Sequence, residues 1–230
     1  MSDLPQSATL TATGPGAGTR SETLTATVAV DFPEFTAPPA EPLGLLAGWL
    51  QDATTRGVRE PRALALATAG TDGRTSTRIV ALNSLTDTGI VFITHRDSRK
   101  GRELAANPWA SGVLYWRETS QQINLAGPTH LLPAAQTEAL WFARPVFTHA
   151  MTSVSRQSRP LDTLQEFEEL RAKALQLGAD QEPLPCPETF VAFHMELDGV
   201  EFWANGTDRL HERLRYDRTG DHWQISRLQP

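Results

Sequence analysis

Apolar positions in this chain fall mostly into short runs closed by turn residues, the pattern of hairpin-connected strands. Ile79-Val80-Ala81-Leu82 and Ile90-Val91-Phe92-Ile93 have the β-branched and aromatic content of buried strands, with Thr86-Asp87-Thr88-Gly89 supplying the turn between them. Arg62 to Ala69 reads as a strand entering that pair through Thr71-Asp72-Gly73. Ala110 to Trp116 and Gln121 to Ala126 read as two more. Phe190 to Leu197, Gly199 to Ala204, Leu210 to Tyr216 and Trp223 to Leu228 follow, with turns at Asn205-Gly206 and Thr219-Gly220-Asp221.

Helical spacing is rarer. Leu43, Leu46, Ala47, Leu50 and Ala53 mark an amphipathic helix over 41–56. A short helix is expected from Ser98 to Ala106, one from Pro133 to Phe142 or Ala143, and a charged one over 161–177. The segment between Arg144-Pro145 and Pro160 reads as a polar loop. Six to nine strands joined by hairpin-length turns, with helices inserted, predict a mainly β (α+β) fold, a closed or split β-barrel with peripheral helices. There is no βαβ alternation, and neither GxGxxG nor GxxxxGK[ST] occurs. Residues 1–38, rich in Thr, Ala, Ser, Gly and Pro, are expected to be a disordered tail ahead of one folded domain over 39–230.

Composition narrows the function classes. The net charge of −6 over 230 residues argues against nucleic acid or an anionic membrane as partner. Cys186 is the only cysteine, which excludes an intrachain disulfide and suits a reducing cytoplasm, the expected location. No signal peptide pattern is present and no apolar run has the length of a membrane span.

Chemistry concentrates in two places. If the strands around Thr86 to Gly89 pair about that turn, Arg78 lies opposite His95, beside Arg99 and Lys100. Asp97 or Ser98 can cap the helix that follows. Three cations and a helix N-terminus would then converge, which is what a phosphate needs; a solvated basic edge is an equal reading of the same residues. Farther on, Arg209, His211, Arg213 and Arg215 would share one face of a strand, with Trp203 available to stack on a planar anion. The plainer alternative is a half-exposed strand with its arginines in water. Gln122, and Arg156-Gln157-Ser158-Arg159 in the loop, are candidate polar contacts with equally plain alternatives. His149 and His194 lack ligand spacing, so no metal site is expected.

Taken in order, Arg78-x-x-x-Leu82, Phe92-Ile93-Thr94, Ser98-Arg99-Lys100, Gln122, Arg144-Pro145, Ser155-Arg156-Gln157-Ser158, Glu201-Phe202-Trp203 and Arg209-Leu210-His211-Glu212-Arg213 resemble the pyridoxamine 5′-phosphate oxidase family. The likeness spans roughly residues 40 to 230. It is strongest to members acting in phenazine biosynthesis, through the runs 107–122 and 209–218. The resemblance implies an FMN-binding split barrel and a homodimer with two interfacial cofactor sites. Arg78, Ser98, Arg99 and Lys100 would surround the FMN phosphate, and Ile79, Val80, Ile93 and Thr94 would line the flavin. Gln122, Gln157, Ser158, Trp203 and Arg213 would complete the site. Arg144, Arg209 and His211 would face the substrate, with Arg209 and His211 the catalytic candidates. Members that form pyridoxal phosphate carry a lysine, a tyrosine and a serine where this chain has Asn83, Leu140 and Thr148. Loss of a cation and a hydroxyl from an anion pocket favours a flatter, less polar substrate. The expectation is an FMN-dependent oxidase that aromatises a partly reduced phenazine carboxylate, with O2 as acceptor and H2O2 as product. The competing readings are a pyridoxine/pyridoxamine 5′-phosphate oxidase and a non-catalytic flavin- or phenazine-binding protein.

Overall fold

In the computed structural model, Val28, residues 30–205 and residues 210–230 are described. Nine antiparallel strands carry the architecture: β1 (Ala63–Ala69), β2 (Thr75–Leu85), β3 (Gly89–His95), β4 (Trp109–Trp116), β5 (Gln121–Leu131), β6 (Phe190–Glu196), β7 (Gly199–Ala204), β8 (Glu212–Thr219) and β9 (His222–Arg227). Their order is β4-β1-β2-β3-β6-β5-β7-β8-β9, and β4 also pairs with β5. The first six strands therefore close into a barrel, and β7-β8-β9 extend from β5 as a flap of sheet. β5 serves both: Gln121 to Ala126 pair with β4 and β7, while Thr129 to Leu131 turn to β6.

Alternation fixes which side of each strand faces inward. In β4 and β5, Leu114, Trp116, Ile123 and Leu125 are buried, while Tyr115 and Gln122 lie on the outer face. The barrel core joins these residues to Leu64, Leu66, Ile90 and Phe92. Five helices pack around it: α1 (Pro42–Thr55), α2 (Arg99–Ala106), α3 (Ala134–Phe142), α4 (Phe147–Val154) and α5 (Leu164–Leu177). On α1, Trp49 meets Phe202 of the flap edge-on at 5.2 Å and Phe32 at 4.9 Å.

The sequence expectations need correction in three places. The tail boundary at residue 38 is too late, because Phe32 is buried in the core and Pro33–Phe35 form a 3₁₀ turn on the folded body. The rest of that expected tail, residues 1–27 and 29, lies outside the described residues. The expected loop over 144–160 contains α4: Phe147, Ala150, Met151 and Val154 sit at helical spacing, masked in the sequence by the threonines, serine and histidine between them. Finally, the hairpin does not place Arg78 opposite His95. Only Leu82, Ser84 and Leu85 pair with β3, across a bulge at Asn83, whereas residues 75–81 pair with β1 and set Arg78 opposite Leu66.

Candidate functional site

The β1–β2 register builds one side of the site. Thr68 lies directly opposite Ser76, and Leu66 opposite Arg78, so Thr68, Ser76 and Arg78 share a face at the barrel mouth. Over that mouth lies the first turn of α2. Ser98 caps it by accepting a hydrogen bond from the Gly101 N–H at 3.2 Å, so of the two candidate caps Ser98 fills the role. Gly101 is what lets the helix sit so close: a Cβ there would overlap the carbonyl oxygens of Arg96 and His95.

The three cations do converge. Arg78 donates to Thr68 Oγ1 at 2.6 Å, to the Leu66 carbonyl at 3.3 Å and to Ser76 Oγ, and reaches Glu103 Oε2 at 3.4 Å. Arg99 Nε donates to Glu103 Oε1 at 2.8 Å, one helical turn away. Lys100 is buried, and among the described residues its Nζ has only neutral partners: Thr94 Oγ1 at 3.0 Å and Gln157 Oε1 at 3.3 Å. Burial, and then the nearby Arg78, push the Lys100 ammonium below its usual pKa. Among the described residues, Arg78 and Arg99 thus share the carboxylate of Glu103, and Lys100 stands beside them with no carboxylate partner of its own. That surplus of positive charge beside a helix N-terminus fits a phosphate monoester.

Glu103, Thr68 and Ser76 were not anticipated. Glu103 stands four residues after Arg99 on α2, a readable i,i+4 pair. The two hydroxyls could have been found only from the true β1–β2 register.

The second half of the predicted site lies elsewhere on the same chain. Tyr115, Gln122, Trp203 and Arg213 are consecutive cross-strand partners on β4, β5, β7 and β8, forming one row on the outer face. His211, just before β8, has its ring 4.8 Å from Trp203, and among the described residues its buried Nδ1 has no partner. Arg209 lies outside the described residues. The expected ladder of free cations is corrected here, because Arg213 is clamped to the buried Glu201 at 2.8 Å and Arg215 to Asp217 at 2.6 Å. At about 4.8 Å per strand, Arg213 on β8 is roughly 24 Å around the sheet from β2.

Other expected residues divide as follows. Ile79 and Val80 project to opposite faces, Ile79 outward at 65% exposure and Val80 toward the core, so their side chains cannot both line one flavin. Ile93 is half-buried and Thr94 buried, the latter within the cation cluster. Gln157 joins the cluster through Lys100, and its neighbour Ser158 holds a left-handed φ of 67°. The Arg144 guanidinium lies over both the Trp141 and Phe190 rings, at 5.2 and 5.1 Å, and those rings pack edge-on against each other. Its Nη2 donates to Thr152 Oγ1 at 2.9 Å, and its buried Nη1 has no partner. Thr148 Oγ1 turns back to the Pro145 carbonyl at 2.8 Å. Asn83 sits at the β2 bulge with its own carbonyl accepting from Arg62, and no recorded contact joins it to Arg144 or Thr148.

A family model described as pyridoxamine 5′-phosphate oxidase matches residues 50–178, and one described as the pyridoxine 5′-phosphate oxidase C-terminal dimerisation region matches residues 190–230. The chain belongs to the pyridoxamine 5′-phosphate oxidase family. It is 53% identical to a dihydrophenazinedicarboxylate synthase of Pseudomonas chlororaphis over 91% of this chain and 93% of the relative. A pyridoxine/pyridoxamine 5′-phosphate oxidase of Gluconobacter oxydans is 38% identical over 83% and 95% of the two chains. The crystal structure of PhzG from Burkholderia lata in complex with tetrahydrophenazine-1-carboxylic acid superposes with a TM-score of 0.85 at 50% identity, covering 89% of this chain and all of that one. An FMN-binding, pyridoxamine 5′-phosphate oxidase-related protein of Nostoc punctiforme shares the fold, with a TM-score of 0.66 at 20% identity.

The family's split barrel is the barrel and flap described above. Among the described residues no helix is long and apolar enough to cross a membrane, and no group of His, Cys, Asp or Glu could hold a metal ion. His149 has a structural explanation within this family member: it stacks on Trp141 at 4.1 Å and is held at both ring nitrogens, by the Trp141 carbonyl and the Leu184 N–H.

Proposed function

We propose that this protein is an FMN-dependent oxidase that aromatises a partly reduced phenazine carboxylate, using O2 as acceptor and releasing H2O2. The observation that carries the cofactor assignment is the buried Lys100, which lies beside the Arg78–Glu103–Arg99 cluster with neutral partners and leaves positive charge for a phosphate to neutralise. FMN, when bound, would supply hydride acceptance and reoxidation by dioxygen. The chain's residues bind and orient. Arg78, Arg99, Lys100 and the hydroxyls of Thr94 and Ser98 would hold the phosphate.

Arg144 is held by two rings and Thr152, and its guanidinium would meet a substrate carboxylate. His211, placed against Trp203, would orient the substrate or accept a proton. Arg209 would add a second carboxylate contact, as the family resemblance implies. Because the Arg78 and Trp203 halves lie on strands far apart, each complete site is proposed to form across a homodimer, in keeping with the family's C-terminal dimerisation region.

The substrate assignment rests on likeness to the Pseudomonas chlororaphis relative and to PhzG, and on Asn83 and Leu140. The alternative, pyridoxamine phosphate, draws on the relatives at 38% identity. Anaerobic titration of the flavin-loaded protein decides between them. Bleaching of the flavin absorbance by a reduced phenazine carboxylate, and not by pyridoxamine phosphate, is expected. The reverse would make it a vitamin B6 enzyme, and no bleaching by either would leave a binding protein.

A further inference from the structure

Glu103 sits where a ligand's anion would be expected to sit. Its carboxylate, only 11% exposed, accepts hydrogen bonds from Thr68 Oγ1 at 2.5 Å, Ser76 Oγ at 2.6 Å and Arg99 Nε at 2.8 Å, with Arg78 Nη2 at 3.4 Å. The two hydroxyls act as relays. Each donates to Glu103, and each accepts from a different terminal nitrogen of Arg78. The result is a closed ring in which the guanidinium of Arg78 is fixed through neutral groups that the carboxylate has itself oriented. Arg99 is tethered to the other carboxylate oxygen through Nε. Its two terminal nitrogens have no recorded protein partner among the described residues, which leaves that edge available for a ligand. Lys100 stays outside the ring with neutral partners.

We propose that Glu103 is a positioning residue of the phosphate cradle, an internal counter-ion that holds Arg78 and Arg99 in their ligand-ready places and leaves Lys100 for the phosphate. The inference rests on the FMN reading above. Without a built-in anion, three neighbouring cations would repel one another, and the two guanidiniums would be drawn toward water before any ligand arrived. The mutual influence is present here: burial is the main cause that lowers the pKa of Arg78 and of Lys100, and Arg99 adds to it at Arg78 and Arg78 at Lys100. A carboxylate beside a phosphate site carries an opposing effect, because its negative charge repels the ligand. Glu103 can favour binding only if ordering the donors outweighs that repulsion. The geometry points that way, since it faces the Nε of Arg99 rather than the terminal nitrogens, and engages Arg78 largely through hydroxyls.

The two effects have opposite signs, so binding separates them. The full-length protein would be stripped of flavin, and FMN and riboflavin dissociation constants measured by quenching of flavin fluorescence, for wild type and Glu103→Gln. Positioning predicts that Glu103→Gln weakens FMN by about tenfold or more while riboflavin, which lacks the phosphate, is unchanged. It predicts also that the loss shrinks when Arg78→Ala is already present, because Glu103 acts through that side chain. Partial recovery in Glu103→Asp is expected. FMN affinity that is unchanged or tighter would overturn the proposal, as would an equal loss for both flavins, which a merely structural role would give. Should Glu103→Gln not fold, Thr68→Val with Ser76→Ala removes the relays and is read against the same outcomes. If wild type itself binds no FMN, the reading of the site fails first, and the two failures stay distinct.

Discussion

On the proposed function, Lys100 is a residue kept for binding rather than for stability. A buried ammonium with two neutral partners gives up most of its hydration and recovers only part of it. Lys100→Met keeps the stem and removes the charge, so the flavin-free protein should gain about 1 kcal/mol in urea unfolding while FMN affinity drops roughly a hundredfold. A less stable variant would show that the ammonium is part of the structural core. Glu103 is the opposite case, since its charge is held by the fold. Burial alone would raise its pKa, but hydrogen bonds from Ser76, Thr68 and Arg99 outweigh that and bring it to about 2. A carboxylate depressed in the folded state contributes stability above its ordinary value near 4.5, and that contribution is lost as pH falls through about 2. The wild-type protein should therefore lose on the order of 2 kcal/mol more than Glu103→Gln between pH 6 and pH 3. Parallel acid limbs for the two proteins would place the proton uptake elsewhere.

At the scale of elements, the site depends on how α2 is seated at the end of β3. Ser98, three residues past the end of β3, caps the helix, and Gly101 admits the helix backbone against the carbonyls of His95 and Arg96. Gly101→Ala would raise intrinsic helix propensity yet force backbone against backbone. The expected outcome is a loss of about 2 kcal/mol or more in unfolding free energy and weaker FMN binding, because Arg99 and Lys100 move with the helix. A stabilised, fully flavin-competent variant would mean the contact yields easily. What the sequence told of these elements follows the same physics. Strands whose inward residues are uniformly apolar, such as Leu64 and Leu66 or Leu114 and Trp116, were legible, as was the capped start of α2. The helix over Phe147–Val154 was not, since it buries little besides His149 and Ala150 and so shows no strong stripe. The convergence of Arg78 with Arg99 and Lys100 was anticipated through the wrong strand pairing. Arg78 reaches α2 from the β1–β2 ladder, and the bulge at Asn83 that separates the two ladders has no mark in the residues around it.

On the scale of the whole molecule, one chain carries the two halves of the proposed site on separate stretches of the sheet. The phosphate half is built from β1, β2, β3 and α2, and the Trp203–Arg213 half from β5, β7 and β8, up to five strands around the sheet. Outward apolar side chains lie near both, among them Ile79 and Tyr115, as a face awaiting a partner copy would require. In a two-fold dimer, each site would take the first half from one protomer and the second from the other. Mixing two damaged proteins tests this without any assumption about substrate. Lys100→Ala and Trp203→Ala homodimers would each have two defective sites. A heterodimer of the two would gather both defects into one site and leave the other intact. After unfolding and refolding an equimolar mixture, heterodimers should make up about half of the dimers, and about a quarter of all sites should bind FMN with wild-type affinity. If each site drew both halves from one chain, every site would carry one defect or the other and no tight binding would return. The recovered fraction, read by titrating flavin fluorescence against the mixed and unmixed proteins, thus measures how the site is divided between the subunits.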